Sequence, residues 1–251
     1  MIQHSLSGRS RQLQELHRSW QAARAGHLTM AFVHGEAGIG KTALLATFAQ
    51  ELQENSSTLI SINNTGEETR SANEIVRLVQ TVHESYGDEV WSALPEAVRT
   101  ELPQFLNGGE TDHPKDLDSA HVAEVLGCAA AIRPLAVIID GANHMTKQSE
   151  RVLETLAMNH AGAPFFLLGS YRSHEVQASD SFSGFLGELN RYVGTQSVAM
   201  GGLSKEELRE LLEGVVGYEL RRPIVDDVYD ATVGNPLYAV QVGYAVREAV
   251  E

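Results

Sequence analysis

Gly35-Glu36-Ala37-Gly38-Ile39-Gly40-Lys41-Thr42 fits the pattern G-x-x-x-x-G-K-[ST] at every position. Glycines let a backbone turn tightly and aim its N–H groups at phosphate oxygens. The lysine of such a loop reaches the β- and γ-phosphates of a nucleotide, and the hydroxyl after it sits on Mg²⁺. These roles fall to Lys41 and Thr42, with Gly35, Glu36, Ala37, Gly38, Ile39 and Gly40 as the cradle. Ala43 opens a helix whose N-terminal partial charge adds to the pull on phosphate. The competing reading is a glycine-rich strand-to-helix turn that holds no ligand, and the flanks argue against it. Thr29–His34 is short and mostly apolar, as a buried strand should be, and Ala43–Leu52 is rich in helix formers.

Mg²⁺ needs an oxygen shell, and Asp140 is placed to add to it. Five apolar residues, Leu135–Ile139, run into Asp140 as in a central parallel strand buried on both faces. The C-terminal end of such a strand lies on the ligand side of the sheet. Alternatively, Asp140-Gly141 merely starts a turn. Hydrolysis would also need a group that orients the attacking water. Many ATPases with this loop place an acid directly after the Mg²⁺ aspartate, where this chain has Gly141. Asn143 and His144 follow without a carboxylate, and Glu150 stands further along, so slow or absent hydrolysis is expected. Arg172 follows a fourth strand predicted over Pro164–Gly169. It is placed to pair bidentately with the γ-phosphate or to form a surface salt bridge with Glu175. Gly234-Asn235-Pro236 reads as a helix start, with Asn235 as N-cap and Pro236 as first helical residue. Whether Pro236 also packs on adenine stays open at this level, as does a place for Arg9 beside the base.

The elements around these residues alternate. A helix with Leu13, Leu16, Trp20 and Ala23 on one face leads to the first strand. A second strand is predicted over Thr58–Asn63, followed by a capping box at Ser71 and Glu74 that opens a helix carrying Ile75, Leu78, Val79 and Val82. Two short helices broken by Pro95 and Pro103 come next, then a polar loop over Asn107–Asp116 and a helix from about Asp118 to Ile132. Further helices over Glu150–His160 and Phe182–Arg191 separate the third, fourth and fifth strands, the last over Thr195–Met200. Five strands separated by helices predict an α/β, doubly wound parallel sheet sandwiched by helices. Gly201-Gly202 marks a boundary between a nucleotide-binding domain over 1–201 and a small helical lid over 202–251. The chain stops inside a helical pattern without a cap, which predicts a continuation.

Composition narrows the partners. Of 251 residues, 43% are hydrophobic and 21% charged, the balance of a globular protein with a real core. The formal charge of −14 repels phosphate backbones and anionic lipid, so this segment is a poor nucleic-acid or membrane binder. Cys128 is the single cysteine and fits a reducing compartment. Apolar runs fall short of the ~20 residues a membrane helix needs, and no charged-then-apolar leader follows Met1. A soluble, cytoplasmic protein is expected.

Taken in order, these motifs resemble the nucleotide-binding domain of STAND-type AAA+ ATPases, P-loop NTPase switches near the front of large bacterial regulators. Such regulators include LuxR-type transcription activators, adenylate/guanylate cyclases and some protein kinases. Ser7-Gly8-Arg9 is similar to the family's first motif, Gly35–Thr42 to Walker A and Leu135–Asp140 to Walker B. Gly169-Ser170-Tyr171-Arg172 is similar to the sensor arginine segment. Gly201-Gly202-Leu203-Ser204 and Gly234-Asn235-Pro236 are similar to the opening of the lid and its Gly-x-Pro turn. The resemblance implies a five-stranded sheet in which the Walker A and Walker B strands flank the sensor strand. It also implies ATP-dependent switching or self-association, with ADP often retained at rest. Ser10 and Gly141 depart from the family pattern, each standing where an acid is usual. Two other classes share the phosphate loop. A small-molecule phosphotransferase would show acceptor-dependent ADP release, and a DNA-loading ATPase is disfavoured by the acidic charge.

Overall fold

Alternation of apolar strands with amphipathic helices builds one parallel sheet covered on both faces. The computed structural model describes residues 8–54, 58–63, 73–103, 118–177 and 180–250. Helix α1 (Ser10–Arg24) leads to β1 (Thr29–Gly35), α2 (Lys41–Glu54) and β2 (Thr58–Asn63). Then come α3 (Asn73–Tyr86), α4 (Asp88–Ala93), α5 (Glu96–Glu101), α6 (Ser119–Ile132) and β3 (Leu135–Asp140). A 3₁₀ turn (Ala142–His144) precedes α7 (Lys147–Asn159), β4 (Phe165–Arg172), α8 (Ser173–Gln177), α9 (Asp180–Tyr192) and β5 (Thr195–Ala199). Three helices close the chain: α10 (Lys205–Val216), α11 (Arg222–Thr232) and α12 (Pro236–Val250). The expected capping-box residue Ser71, the loop over Asn107–Asp116 and Ser7 lie outside the described residues.

The strand order is β2-β3-β4-β1-β5, all parallel, so β1 and β3 flank β4 as the resemblance implied. Strand residues alternate between two cores, as the two-residue period of a strand requires. Ala31, Val33, Ala136, Ile138, Phe166 and Leu168 face α1 and α2. Met30, Phe32, Val137, Ile139, Phe165 and Leu167 face the core built by α3, α6, α7 and α9. Phe166 packs between Trp20 and Phe48, at ring-centroid distances of 6.0 and 5.9 Å. Burying one such phenyl ring stabilises the fold by roughly 1.5–3 kcal/mol.

Two boundaries differ from expectation for a tertiary reason. Strand β4 continues through Arg172 rather than ending at Gly169, because β1 offers partners that far, with Gly35 opposite Arg172. Ser170, Tyr171 and Arg172 are therefore held in the sheet, not in a following loop. Helix α7 starts at Lys147, where the Thr146 side chain accepts from the Ser149 N–H at 3.1 Å. Glu150 then falls in the first turn, 7% exposed and paired with Lys147, away from the nucleotide edge.

The last three helices share a separate apolar cluster that includes Leu203, Leu208, Leu212, Leu220, Val228 and Ala239. Its first helix opens on a complete capping box. The Ser204 N–H donates to the Glu207 carboxylate at 2.7 Å, and Glu207 N–H donates to Ser204 Oγ at 3.3 Å. Among the described residues, no helix is long and apolar enough to cross a membrane.

Candidate nucleotide site

The parallel register brings the C-terminal ends of β1, β3 and β4 to one edge. Gly35 stands beside Arg172, and Ile139 beside Gly169, so Asp140 neighbours Ser170. A cavity of about 750 Å³ opens there, a size suited to a small ligand. Its wall brings together Ala37, Gly38, Gly40, Lys41, Thr42, Ala43, Asp140, Arg172 and Pro236 from the residues expected to form the site.

Every carbonyl of the loop from Gly35 to Ile39 accepts a hydrogen bond. Lys41 Nζ donates to Gly35 O at 2.9 Å and to Glu36 O at 2.8 Å. Asn235 Nδ2 donates to Ala37 O at 3.0 Å, and the Leu237 N–H to Gly38 O at 3.3 Å. Arg9 Nη2 donates to Ile39 O at 3.0 Å. With the carbonyls engaged, and the Ile39 N–H donating to Glu36 O at 3.4 Å, the loop's other N–H groups and the start of α2 are the donors left to meet an anion. Burial lowers the pKa of Lys41, as does the charge of Arg172, while Asp140, Glu36 and Glu175 pull the other way. An incoming phosphate would reverse that balance.

Arg9, Gly35, Glu36 and Ile39 do not line the cavity. Gly35 and Glu36 serve through the carbonyls that hold Lys41, and Ile39 is buried in the core against α1 and α2. Arg9 is 5% exposed and also donates to Gly201 O at 2.9 Å, so it braces the loop against the chain entering α10. Burial lowers its pKa, with Glu207 opposing.

Thr42 Oγ1 donates to Asp140 Oδ2 at 2.6 Å, and Ser170 Oγ to Asp140 Oδ1. Ser170 Oγ accepts in turn from the Gly141 N–H at 3.0 Å, which fixes the carboxylate. A hydroxyl and a carboxylate side by side are hard oxygen donors of the kind Mg²⁺ takes. Among the described residues there is no cluster of three or more His, Cys, Asp or Glu that would hold a metal unaided. The donor set therefore fits an ion completed by phosphate and water oxygens, the usual habit of Mg²⁺.

Gly141 adopts φ 81° and ψ 45°, the left-handed region. A glutamate there would be strained by roughly 1–2 kcal/mol, so the backbone itself disfavours an acid at this position. Asn143 and His144 each turn one side-chain nitrogen to Glu175. Asn143 Nδ2 donates to Glu175 Oε2 at 2.6 Å, and His144 Nε2 lies 3.3 Å from the same oxygen. Glu175 Oε1 accepts from Arg172 Nη1 at 2.8 Å, so the salt bridge considered for Arg172 forms while Arg172 lines the cavity. Burial would raise the pKa of Glu175, but hydrogen bonds from Asn143 and Arg172 and the nearby positive charges hold it below the usual carboxylate range.

Sequence reasoning missed Glu175, Ser170 and Leu237 as site residues. Leu237 and Val240 of α12 add an apolar wall beside Pro236, facing Ala43 and Ala46. Asn235 does what an N-cap should, accepting from the Leu237 N–H at 3.1 Å, and its amide end adds the bond to the loop.

His34, one residue before the loop, stacks on Tyr171 at 5.3 Å with Ser173 Oγ 3.2 Å from its Nδ1. Burial, then the charge of Lys41, lowers its pKa below the ordinary 6.5. The unfolded chain thus binds the proton more readily, and this contribution to stability is present above about pH 6.5 and lost as pH falls through the folded value. Urea midpoints measured from pH 7.5 to 5 are expected to fall less steeply in His34→Gln. Parallel profiles would refute the assignment.

No curated protein matches the sequence. Among solved structures, the chain is similar to the Walker-type ATPase PABY2304 of Pyrococcus abyssi, with TM-score 0.59 and 16% identity over 96% of this chain and 67% of that one. It is similar to a RuvB variant of Thermotoga maritima, with TM-score 0.54 and 16% identity over 96% of this chain and 63% of that one. A third likeness, with TM-score 0.57 and 13% identity, is to a Drosophila ORC structure bound to DNA, over 98% of this chain and 58% of that one. The chain thus spans about two thirds or less of each of these structures. Likeness at such identities shows the α/β P-loop fold alone. Residues 5–168, well over half of the chain, match a known family. Since that stretch runs from ahead of α1 into β4 and carries both the phosphate loop and Asp140, the chain belongs to the AAA ATPase domain family.

Proposed function

We propose that the chain is an ATP- and ADP-binding regulatory switch of the STAND type. Residues 1–201 would hold the nucleotide and residues 202–251 act as a helical lid. The nucleotide state would pass to a partner protein, a second copy or an appended effector in signalling or transcription control. The observation that carries this reading is the direct bonding of the C-terminal unit to the loop, through Asn235 to Ala37 O and the Leu237 N–H to Gly38 O. A phosphate that shifts those peptide units pulls on α12 with no intermediary.

In this reading Lys41 grips the phosphates, Thr42 and Asp140 take the Mg²⁺, Arg172 meets the γ-phosphate, and Pro236 with Leu237 covers the base. The bound ion neutralises phosphate charge, and the chain's residues do the rest by position. The overall charge of −14 argues against nucleic acid or anionic membrane as the partner of this segment. A single cysteine suits a cytoplasmic setting.

Calorimetry with ATP and ADP, each with Mg²⁺, tests the reading directly, and failure to bind either would end it. Turnover is expected well below the ~10 s⁻¹ typical of enzymes, because no acid follows Asp140. A steady-state rate at that level would reject the slow-switch reading. Amide exchange over residues 205–250 should differ between the ATP and ADP complexes.

A further inference from the structure

Both oxygens of the Glu175 carboxylate are taken by residues of the cavity wall. Oε1 accepts from Arg172 at 2.8 Å, and Oε2 from Asn143 at 2.6 Å. The carboxylate is one quarter exposed, close enough to the phosphate end for its charge to act on Lys41. Arg172 is therefore already engaged when a nucleotide arrives. A terminal phosphate gains the guanidinium only by breaking the pair with Glu175, and it meets the negative charge of Glu175 as it does so. A diphosphate held by the loop and Lys41 has no such competition.

We propose that Glu175 is a specificity-determining residue, holding Arg172 off the terminal phosphate and so lowering the preference of the site for ATP over ADP. This rests on the nucleotide-site reading above and names the residue that adjusts its preference between the two nucleotides. Asn143 keeps the carboxylate in place while Arg172 comes and goes, so the pair can re-form when the γ-phosphate leaves. A half-exposed ion pair is weak, which makes this an adjustable bias and not a barrier.

The test is the ratio of ATP to ADP affinity, measured with Mg²⁺ by calorimetry in the wild type, Glu175→Gln, Arg172→Ala and the double variant. Glutamine keeps the size and an oxygen for Asn143 but removes the charge. Glu175→Gln is expected to raise the ratio about three- to fivefold, and in the Arg172→Ala background by less than about twofold. A ratio unmoved by Glu175→Gln overturns the proposal. So does an equal rise in both backgrounds, because that would be plain repulsion without Arg172. If the wild type binds both nucleotides and the ratio does not move, the inference about Glu175 fails alone. If the wild type binds neither, the underlying reading fails with it.

Discussion

Replacing Lys41 by alanine is expected to weaken binding of ATP with Mg²⁺ roughly 30- to 1,000-fold, or about 2–4 kcal/mol. Without nucleotide, the ammonium donates to Gly35 O and Glu36 O at 2.9 and 2.8 Å. Phosphate oxygens replace these neutral acceptors with charged ones, and hydrogen bonds to charged groups are the stronger kind. Burial and the neighbouring Arg172 already lower the pKa of Lys41, so the lysine gains more from an anion than a solvated one would. Folding should barely notice the change. The bond to Glu36 O is exposed and that to Gly35 O part-buried, water can take the place of the ammonium, and the stability loss should stay within about 1 kcal/mol. Calorimetry on Lys41→Ala, with a urea curve to confirm the fold, decides the matter. Unchanged affinity in a folded variant would show that Gly35–Thr42 is a turn and not a grip.

How much of this was legible beforehand depended on where each residue finds its partners. The phosphate loop is local, since its glycines, lysine and threonine act within one strand-turn-helix, and its pattern stands in the sequence. Strand β3 and its terminal Asp140 were equally plain, because a strand buried on both faces reads as an unbroken apolar run. Ser170 was hidden because a serine near the end of an apolar strand carries no signal until β3 is set beside it. The length of β4 was misjudged for the same kind of reason, as β1 supplies the partners that carry it to Arg172. Least legible was the bracing done by Arg9. Its acceptors are backbone carbonyls 30 and 192 residues away, and a carbonyl has no sequence identity by which to be found. Glu175 lies 32 residues from Asn143, and only the fold puts the two in one cavity.

The turn that carries Asn235 and Leu237 to the loop supplies the second large effect. Gly234 has φ 72°, and a Cβ there would fall 2.2 Å from Leu203 O and 2.8 Å from Leu203 N. Both are backbone atoms that no side-chain rotation moves aside, and the Leu203 N–H already donates to Gly234 O at 2.8 Å. Val233 beside it is also left-handed at φ 50°, an uncommon state for a β-branched residue, so the turn has little strain left to absorb. Gly234→Ala is expected to cost roughly 2–5 kcal/mol, combining the left-handed penalty with the clash. The cheapest relief is for the turn to back away from Leu203, which draws Asn235 and Leu237 away from Ala37 O and Gly38 O. A urea curve with an early transition, faster amide exchange over 205–250 and weakened nucleotide binding should therefore appear together. If exchange accelerates while nucleotide affinity holds, the C-terminal unit is not coupled to the loop, and the switch reading loses its mechanical link. If neither changes, the turn at Gly234 does not hold α12 in place.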